Sequence, residues 1–172
     1  MCKRMIFVIL VLGIVGSALA DTNWTNGGGD RDWDNASNWD AGVPDSATKT
    51  GVRAGLVNGP IISSGTSAVT AELVCGDWNN TDVMDITGGT LEPQSWFILG
   101  YGAGTDGTLN ISGGVTTASG TMQVGRDGVG HVNITGGTFE VPNSTLELGA
   151  LTGSGHVQLY GGTITCLSLI HI

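Results

Sequence analysis

A Gly-Gly pair recurs at 88–89, 113–114, 136–137 and 161–162, at spacings of 25, 23 and 25 residues. A fixed period of this length is the mark of a repeat architecture, in which one unit cannot bury its apolar face alone. Each pair follows a short alternating stretch: MDIT (84–87), LNIS (109–112), VNIT (132–135) and VQLY (157–160). A second landmark, apolar-x-apolar-Gly, appears as LVCG (73–76), FILG (97–100), MQVG (122–125) and LELG (146–149). The phase between the two landmarks holds over almost four repeats.

Alternation with a period of two is the strand signal. It points Met84 and Ile86, Leu109 and Ile111, Val132 and Ile134, and Val157 and Leu159 to one face. Asp85, Asn110, Asn133 and Gln158 point to the other. A further short strand follows each glycine pair: TLE (90–92), VTT (115–117), TFEV (138–141) and TIT (163–165). Each unit therefore reads as three short strands separated by Gly-rich corners. Stacking such coils at about 4.8 Å pairs every strand with its copy above and below and lines equivalent side chains into columns. Glycine suits the corners, where positive φ or close backbone approach excludes a Cβ. The expected fold is all-β, a right-handed parallel β-helix (solenoid) of about 24-residue coils. A β-sandwich or β-prism built from repeated hairpins is the competing architecture.

The motif hydrophobic-x-Ile-x-Gly-Gly-Thr, as in DITGGT (85–90) and NITGGT (133–138), resembles bacterial secreted Gly-rich parallel β-helix repeat proteins. These include autotransporter passenger-type repeats and the wider pectate-lyase-like superfold. The resemblance covers about residues 55–166. It implies an architecture and hardly any activity, because a superfold hosts many functions.

Residues 1–20 read as a signal peptide, with Lys3 and Arg4 before an apolar run from Met5 to Gly16 and Ala18-Leu19-Ala20 as the cleavage site. The mature chain is expected to begin near Asp21 and to be secreted or displayed at the cell surface. Removing Lys3 and Arg4 takes the formal charge from −9 to near −11. That balance argues against nucleic acid and anionic membrane surfaces as partners. Cys75 and Cys166 alone remain after removal of Cys2, so no disulfide framework is expected despite export. At the other end, LSLIHI (167–172) departs from the preceding composition. It resembles the translation of an adapter used in preparing sequencing libraries, so the repeats are read as residues 51–166 of a longer β-helix.

Residues 21–50 form a distinct Trp-rich segment containing Trp24, Trp33 and Trp39. It is read as an N-terminal cap over the first coil, whose open core and unpaired edge would otherwise meet water. The functional alternative is a sugar-binding platform of the three rings. Asp30, Asp32 and Asp34 alternate as in many calcium loops, since a hard cation takes six to eight oxygens. However, Asn35 stands where such a loop needs glycine, and Ala41 stands where it needs Glu. A solvated acidic turn is the simpler reading, with calcium the alternative.

Catalysis on this superfold requires a cluster on one outer face. Glu92 and Glu140 lie two coils apart, near 9–10 Å by strand spacing, a separation that mimics an inverting carboxylate pair. Exposed acids alternating with Thr117 and Thr165 are the bland alternative. His131 and His156 occupy equivalent positions, but two ligands without a third make a poor metal site. Cys75 and Cys166 are too far apart for a disulfide and read as buried, inert thiols. Asn110 and Asn133 read as a stacked amide ladder. The expected function is that of an exported, non-catalytic structural or adhesive surface protein without a cofactor, its partners glycans or other cell-surface components. The alternative is a carbohydrate-binding or polysaccharide-degrading β-helix whose active residues lie further along a longer chain.

Overall fold

A computed structural model of the chain describes residues 20–55 and 57–171; the apolar run of the signal segment lies outside them. The strands are β1 (Ala20–Asn23), β2 (Thr48–Val52), β3 (Ile61–Ile62), β4 (Ser67–Cys75), β5 (Thr81–Ile86), β6 (Thr90–Leu99) and β7 (Asp106–Ile111). They continue with β8 (Val115–Thr117), β9 (Thr121–Val124), β10 (Val129–Ile134), β11 (Thr138–Leu148), β12 (Ser154–Leu159) and β13 (Thr163–His171). Every strand pairing is parallel. One sheet runs β1-β2-β4-β6-β8-β11-β13, with β9 between β6 and β11, and the other runs β12-β10-β7-β5-β3. The chain is a β-solenoid of about six turns with coils of about 24 residues.

The columns inferred from alternation are present in register. Ile62, Ile86, Ile111, Ile134 and Leu159 face one another across successive coils. Met84, Leu109, Val132 and Val157 form the neighbouring column. From the other sheet come Leu73, Phe97, Met122 and Leu146, and beside them Val52, Cys75, Leu99 and Val124. All of these are buried except Val157 and Leu159 in the last coil. Burying one such aliphatic side chain contributes roughly 1.5–3 kcal/mol. Repetition of the column makes the core continuous along the axis.

The paired glycines have separate tasks. A Cβ on Gly136 would come within 2.5 Å of the Ser112 carbonyl oxygen in the coil below. Gly137 has φ +74°, the left-handed region in which a Cβ meets its own backbone. The first glycine of the pair permits close stacking of the corners, and the second permits the turn.

The division of each coil into strands differs from the sequence reading. Two of the three expected short strands in a coil run together as one long strand in β4, β6 and β11. They separate only into β8 and β9, where Ala118-Ser119-Gly120 intervenes. At the corresponding place β6 carries Pro93-Gln94-Ser95 and β11 carries Pro142-Asn143-Ser144. Proline fits such an extended bend, but β4 continues through Thr70-Ala71-Glu72 with a register shift and no proline, so the continuous ladder does not depend on it. The register shifts between Val141 and Thr145 record that bend.

Residues 20–40 lie at one end of both sheets. β1 pairs only with β2. Asp32 bridges to Ile61, with Ile61 N–H donating to the Arg31 carbonyl at 2.7 Å and Trp33 N–H donating to the Ile61 carbonyl at 3.2 Å. A single 3-10 turn, Ala36–Asn38, is capped by Asn35, whose side chain accepts from Ser37 N–H. At the opposite end Leu159, Leu167 and Leu169 are exposed, and residues 167–171 continue β13 beside β11.

Position along the axis should therefore decide the cost of trimming a column. Ile134→Ala is expected to cost about 2–5 kcal/mol, and Leu159→Ala, which is 51% exposed, roughly 1 kcal/mol or less. Urea unfolding of the two variants checks this; equal losses would contradict a shared interior column.

Candidate functional site

The residues singled out in the sequence are mostly engaged in holding the fold. Trp24, Trp33 and Trp39 are 1%, 0% and 5% exposed. Trp39 meets Trp24 and Trp33 edge-to-face, with centroids 5.0 and 4.8 Å apart. Trp39 Nε1–H donates to the Trp33 carbonyl at 2.8 Å, and Trp24 Nε1–H donates to the Asn58 carbonyl at 3.2 Å. These rings fill the interior at the end of the solenoid and offer no open face to a sugar.

Asp30, Asp32 and Asp34 are each turned to a different local partner. Asp30 accepts from Asn38 Nδ2 at 2.6 Å, Asn35 Nδ2 at 2.8 Å and Asp32 N–H at 3.1 Å. Asp32 accepts from Asp34 N–H at 3.1 Å, and Asp34 accepts from Thr66 Oγ1 at 2.9 Å. Asn38 is fully buried, and its side-chain oxygen accepts from Gly28 N–H at 2.8 Å. The segment is thus a side-chain-braced turn around a buried asparagine. Among the described residues no group of three or more His, Cys, Asp or Glu is placed to hold a metal ion.

On the outer face of the second sheet the amide ladder is present and longer than the sequence suggested. Asn133 Nδ2 donates to Asn110 Oδ1 at 3.0 Å, and Asn110 Nδ2 donates to Asp85 Oδ1 at 2.8 Å. Arg31 completes it with a 2.6 Å contact to Asp85 Oδ2. The rings of His131 and His156 stack at 5.1 Å and 13°. His131 Nε2 lies 3.8 Å from Asp106 Oδ2, and His156 Nε2 lies 3.1 Å from Ser154 Oγ. Glu92 accepts from Ser119 Oγ at 3.2 Å, and Glu140 lies opposite Thr117 and Thr165.

Cys75 is buried, and desolvation first, then the nearby Asp82, pushes its thiol well above the usual range. Cys166, expected to be buried, is exposed. It lies opposite the buried Val141, on the strand that ends its sheet among the described residues.

A groove flanked by an exposed tryptophan lies on the outer face of the first sheet, on residues not selected from the sequence. Lys49, Glu72 and Trp96 form one outward column. Val74 and Ile98 are neighbours in the adjacent outward column. The groove, of about 200 Å³, runs over them and is lined also by Tyr101 and Arg126. Val74 and Ile98 point away from the core yet are only 5% and 4% exposed, because the long side chains around them cover them. Trp96 and Tyr101 keep 42% and 37% of their surface in solvent. The Arg126 guanidinium lies 4.6 Å from the Tyr101 ring centroid, a cation–π contact. Lys49 Nζ and Glu72 Oε2 are 3.4 Å apart.

An apolar floor, an open indole and a rim carrying both donors and an acceptor receive a small ligand with one apolar face and polar edges. The signal for this site was available in the parity of FILG. If Phe97 and Leu99 point in, Trp96 and Ile98 must point out.

The braced N-terminal turn carries a pH signature. Hydrogen bonds from Asn38, Asn35 and Asp32 hold Asp30 below the usual carboxylate range. Burial alone would raise Asp40, but hydrogen bonds from Asn23 and Thr22 and the charge of Arg53 outweigh it and lower it. Carboxyls depressed in the folded state add stability above their unfolded value of 3.8, and that stability is lost as pH falls through the folded value. Tryptophan fluorescence should thus show a lower urea midpoint at pH 3 than at pH 6, and Asp30→Asn with Asp40→Asn should flatten the difference. An unchanged difference in the double variant would contradict this origin.

No family model matches the chain, and no curated protein or solved structure was matched either.

Proposed function

We propose that this protein is an exported, non-catalytic structural or adhesive surface protein, a rigid shaft that presents side chains in fixed columns. The observation that carries this reading is the ladder from Arg31 through Asp85 and Asn110 to Asn133. It ties the outward polar groups of one coil to those of the next. Polar side chains committed to one another across coils add cohesion along the axis and present a constant surface, which is what a shaft requires. On this reading residues 21–50 are the cap, with the tryptophan cluster closing the interior at that end. The winding is right-handed, the hand that parallel crossovers favour. The signal-like N-terminus and the repeat motif support export in the manner of autotransporter passenger-like proteins.

The test is retention without turnover. Beads coated with the purified chain are expected to be held on cell surfaces or extracellular matrix, releasing neither reducing ends nor unsaturated sugars from added polysaccharides. Sugar release abolished by Glu92→Gln or Glu140→Gln would establish a polysaccharide-degrading enzyme instead. Beads that wash off every surface offered would remove the adhesive role.

A further inference from the structure

We infer that the groove between Lys49, Glu72, Trp96 and Tyr101 is a binding subsite for one pyranose unit of a neutral polysaccharide. This names a ligand for the adhesive surface and in that sense rests on the shaft reading, although the two can fail separately.

A pyranose ring has an apolar C–H face and an edge of hydroxyls, each both donor and acceptor. The groove has the complementary division. Trp96 offers an indole with 42% of its surface open, beside a floor of Val74 and Ile98. A C–H face packed on the open Trp96 ring gains apolar burial and the attraction of polarised C–H groups to the ring, while Val74 and Ile98, already covered, add little. The rim supplies donors from Lys49 and Arg126 and an acceptor from Glu72. Lys49 Nζ and Glu72 Oε2, 3.4 Å apart, can bracket a pair of neighbouring hydroxyls. Bonds to ionised groups are the stronger kind.

The same features disfavour other occupants. A purely apolar ligand would remove water from the Lys49–Glu72 pair and from Arg126 without offering them a hydrogen bond in return. An anionic ligand would meet Glu72 and a chain of net charge −9. A volume of about 200 Å³ is on the scale of a single ring rather than a folded partner.

The corner beside the groove suggests how a longer chain would lie. Tyr101 N–H donates to the Gly76 carbonyl at 2.8 Å, and Arg126 N–H donates to the Gly100 carbonyl at 3.1 Å, so residues 77, 101 and 126 stack as a column. Next to Asp77 stands Trp78, 63% exposed, with the Arg53 guanidinium 4.3 Å from its ring centroid. Trp78, Tyr101 and Arg126 thus lie on three successive coils spaced by about 4.8 Å, with Trp78 one position off the column of Asp77, Tyr101 and Arg126. That repeat is close to the advance of an extended glycan per sugar, so the chain would run along the solenoid axis.

The experiment is titration of the full chain with neutral hexasaccharides (β-glucan, mannan and xylan types), followed by tryptophan fluorescence and calorimetry. Trp96→Ala is expected to weaken binding at least tenfold with unchanged circular dichroism and melting temperature. Trp96→Phe should recover part of the loss, and Trp78→Ala should matter for hexasaccharides but not for disaccharides. Unaltered binding by Trp96→Ala, binding confined to uronate-rich or sulfated glycans, or no binding to any neutral glycan would overturn the subsite. Retained beads with an unaffected Trp96→Ala variant would leave the shaft standing without this site. Sugar release with Trp96-dependent binding would remove the shaft reading and leave the site.

Discussion

Each coil is held to the next by parallel strands in register, and everything else in the structure follows from keeping that register. Parallel pairing places residue on equivalent residue, so an apolar side chain in one coil rests on an apolar side chain in the next. Ile86 on Ile111 on Ile134 is the plainest case. A slip of one residue would turn the isoleucines out and bring Asp85, Asn110 and Asn133 into the interior. That penalty grows with every coil added, which is why short, weakly polar strands suffice to specify the winding.

Register also governs which polar interactions are available. Outward neighbours in a column stand one strand spacing apart, close enough for amide to meet amide. Asn110 and Asn133 use this, and Asp85 ends the series with an acid able to receive Arg31 from the N-terminal segment. The contact spans 54 residues of sequence. It fastens the irregular first segment to the regular coils, in the same segment that carries the buried Trp24, Trp33 and Trp39. Electrostatic gain from a pair with side chains 26% and 24% exposed is modest; the contribution of Arg31 lies as much in where it ties the chain.

Much of this was legible in the sequence, for a physical reason. Periods of two within a strand and about two dozen between strands are set by backbone geometry, and apolar residues must obey both. The interior columns, the paired glycines, the asparagine ladder and the stacked histidines all follow from those two periods. The bent continuation of β6 and β11 through Pro93 and Pro142 was not legible, because a proline marks a turn and an extended bend equally well. Nor was the fate of the three N-terminal tryptophans, which lie outside any period and whose burial depends on contacts between residues far apart in sequence. The exposure of Cys166 depends on what lies over its strand, and no local pattern records that.

Periodicity also explains why the candidate site was passed over and where a site in such a fold has to be. Inward positions are committed to the core, and the glycine corners are closed to side chains because the next coil's backbone sits against them. At Gly114, for example, a Cβ would come within 2.5 Å of the Gly89 carbonyl oxygen. Only outward strand positions and the residues just beyond each corner glycine remain free to vary. A search for unusual residues such as Trp24 or Asp30 therefore leads to the segment that breaks the repeat. The informative departures are those that keep the repeat and change one outward residue. Trp96 stands opposite Glu72 on one side and Thr121 on the other. Tyr101 sits immediately after the corner glycine that fixes its coil. Neither is needed for the winding, and burial of their rings adds little to the core. Their rings stay partly in solvent, as do those of Trp78 and Tyr160, and exposed aromatic surface carries a cost that the winding does not require.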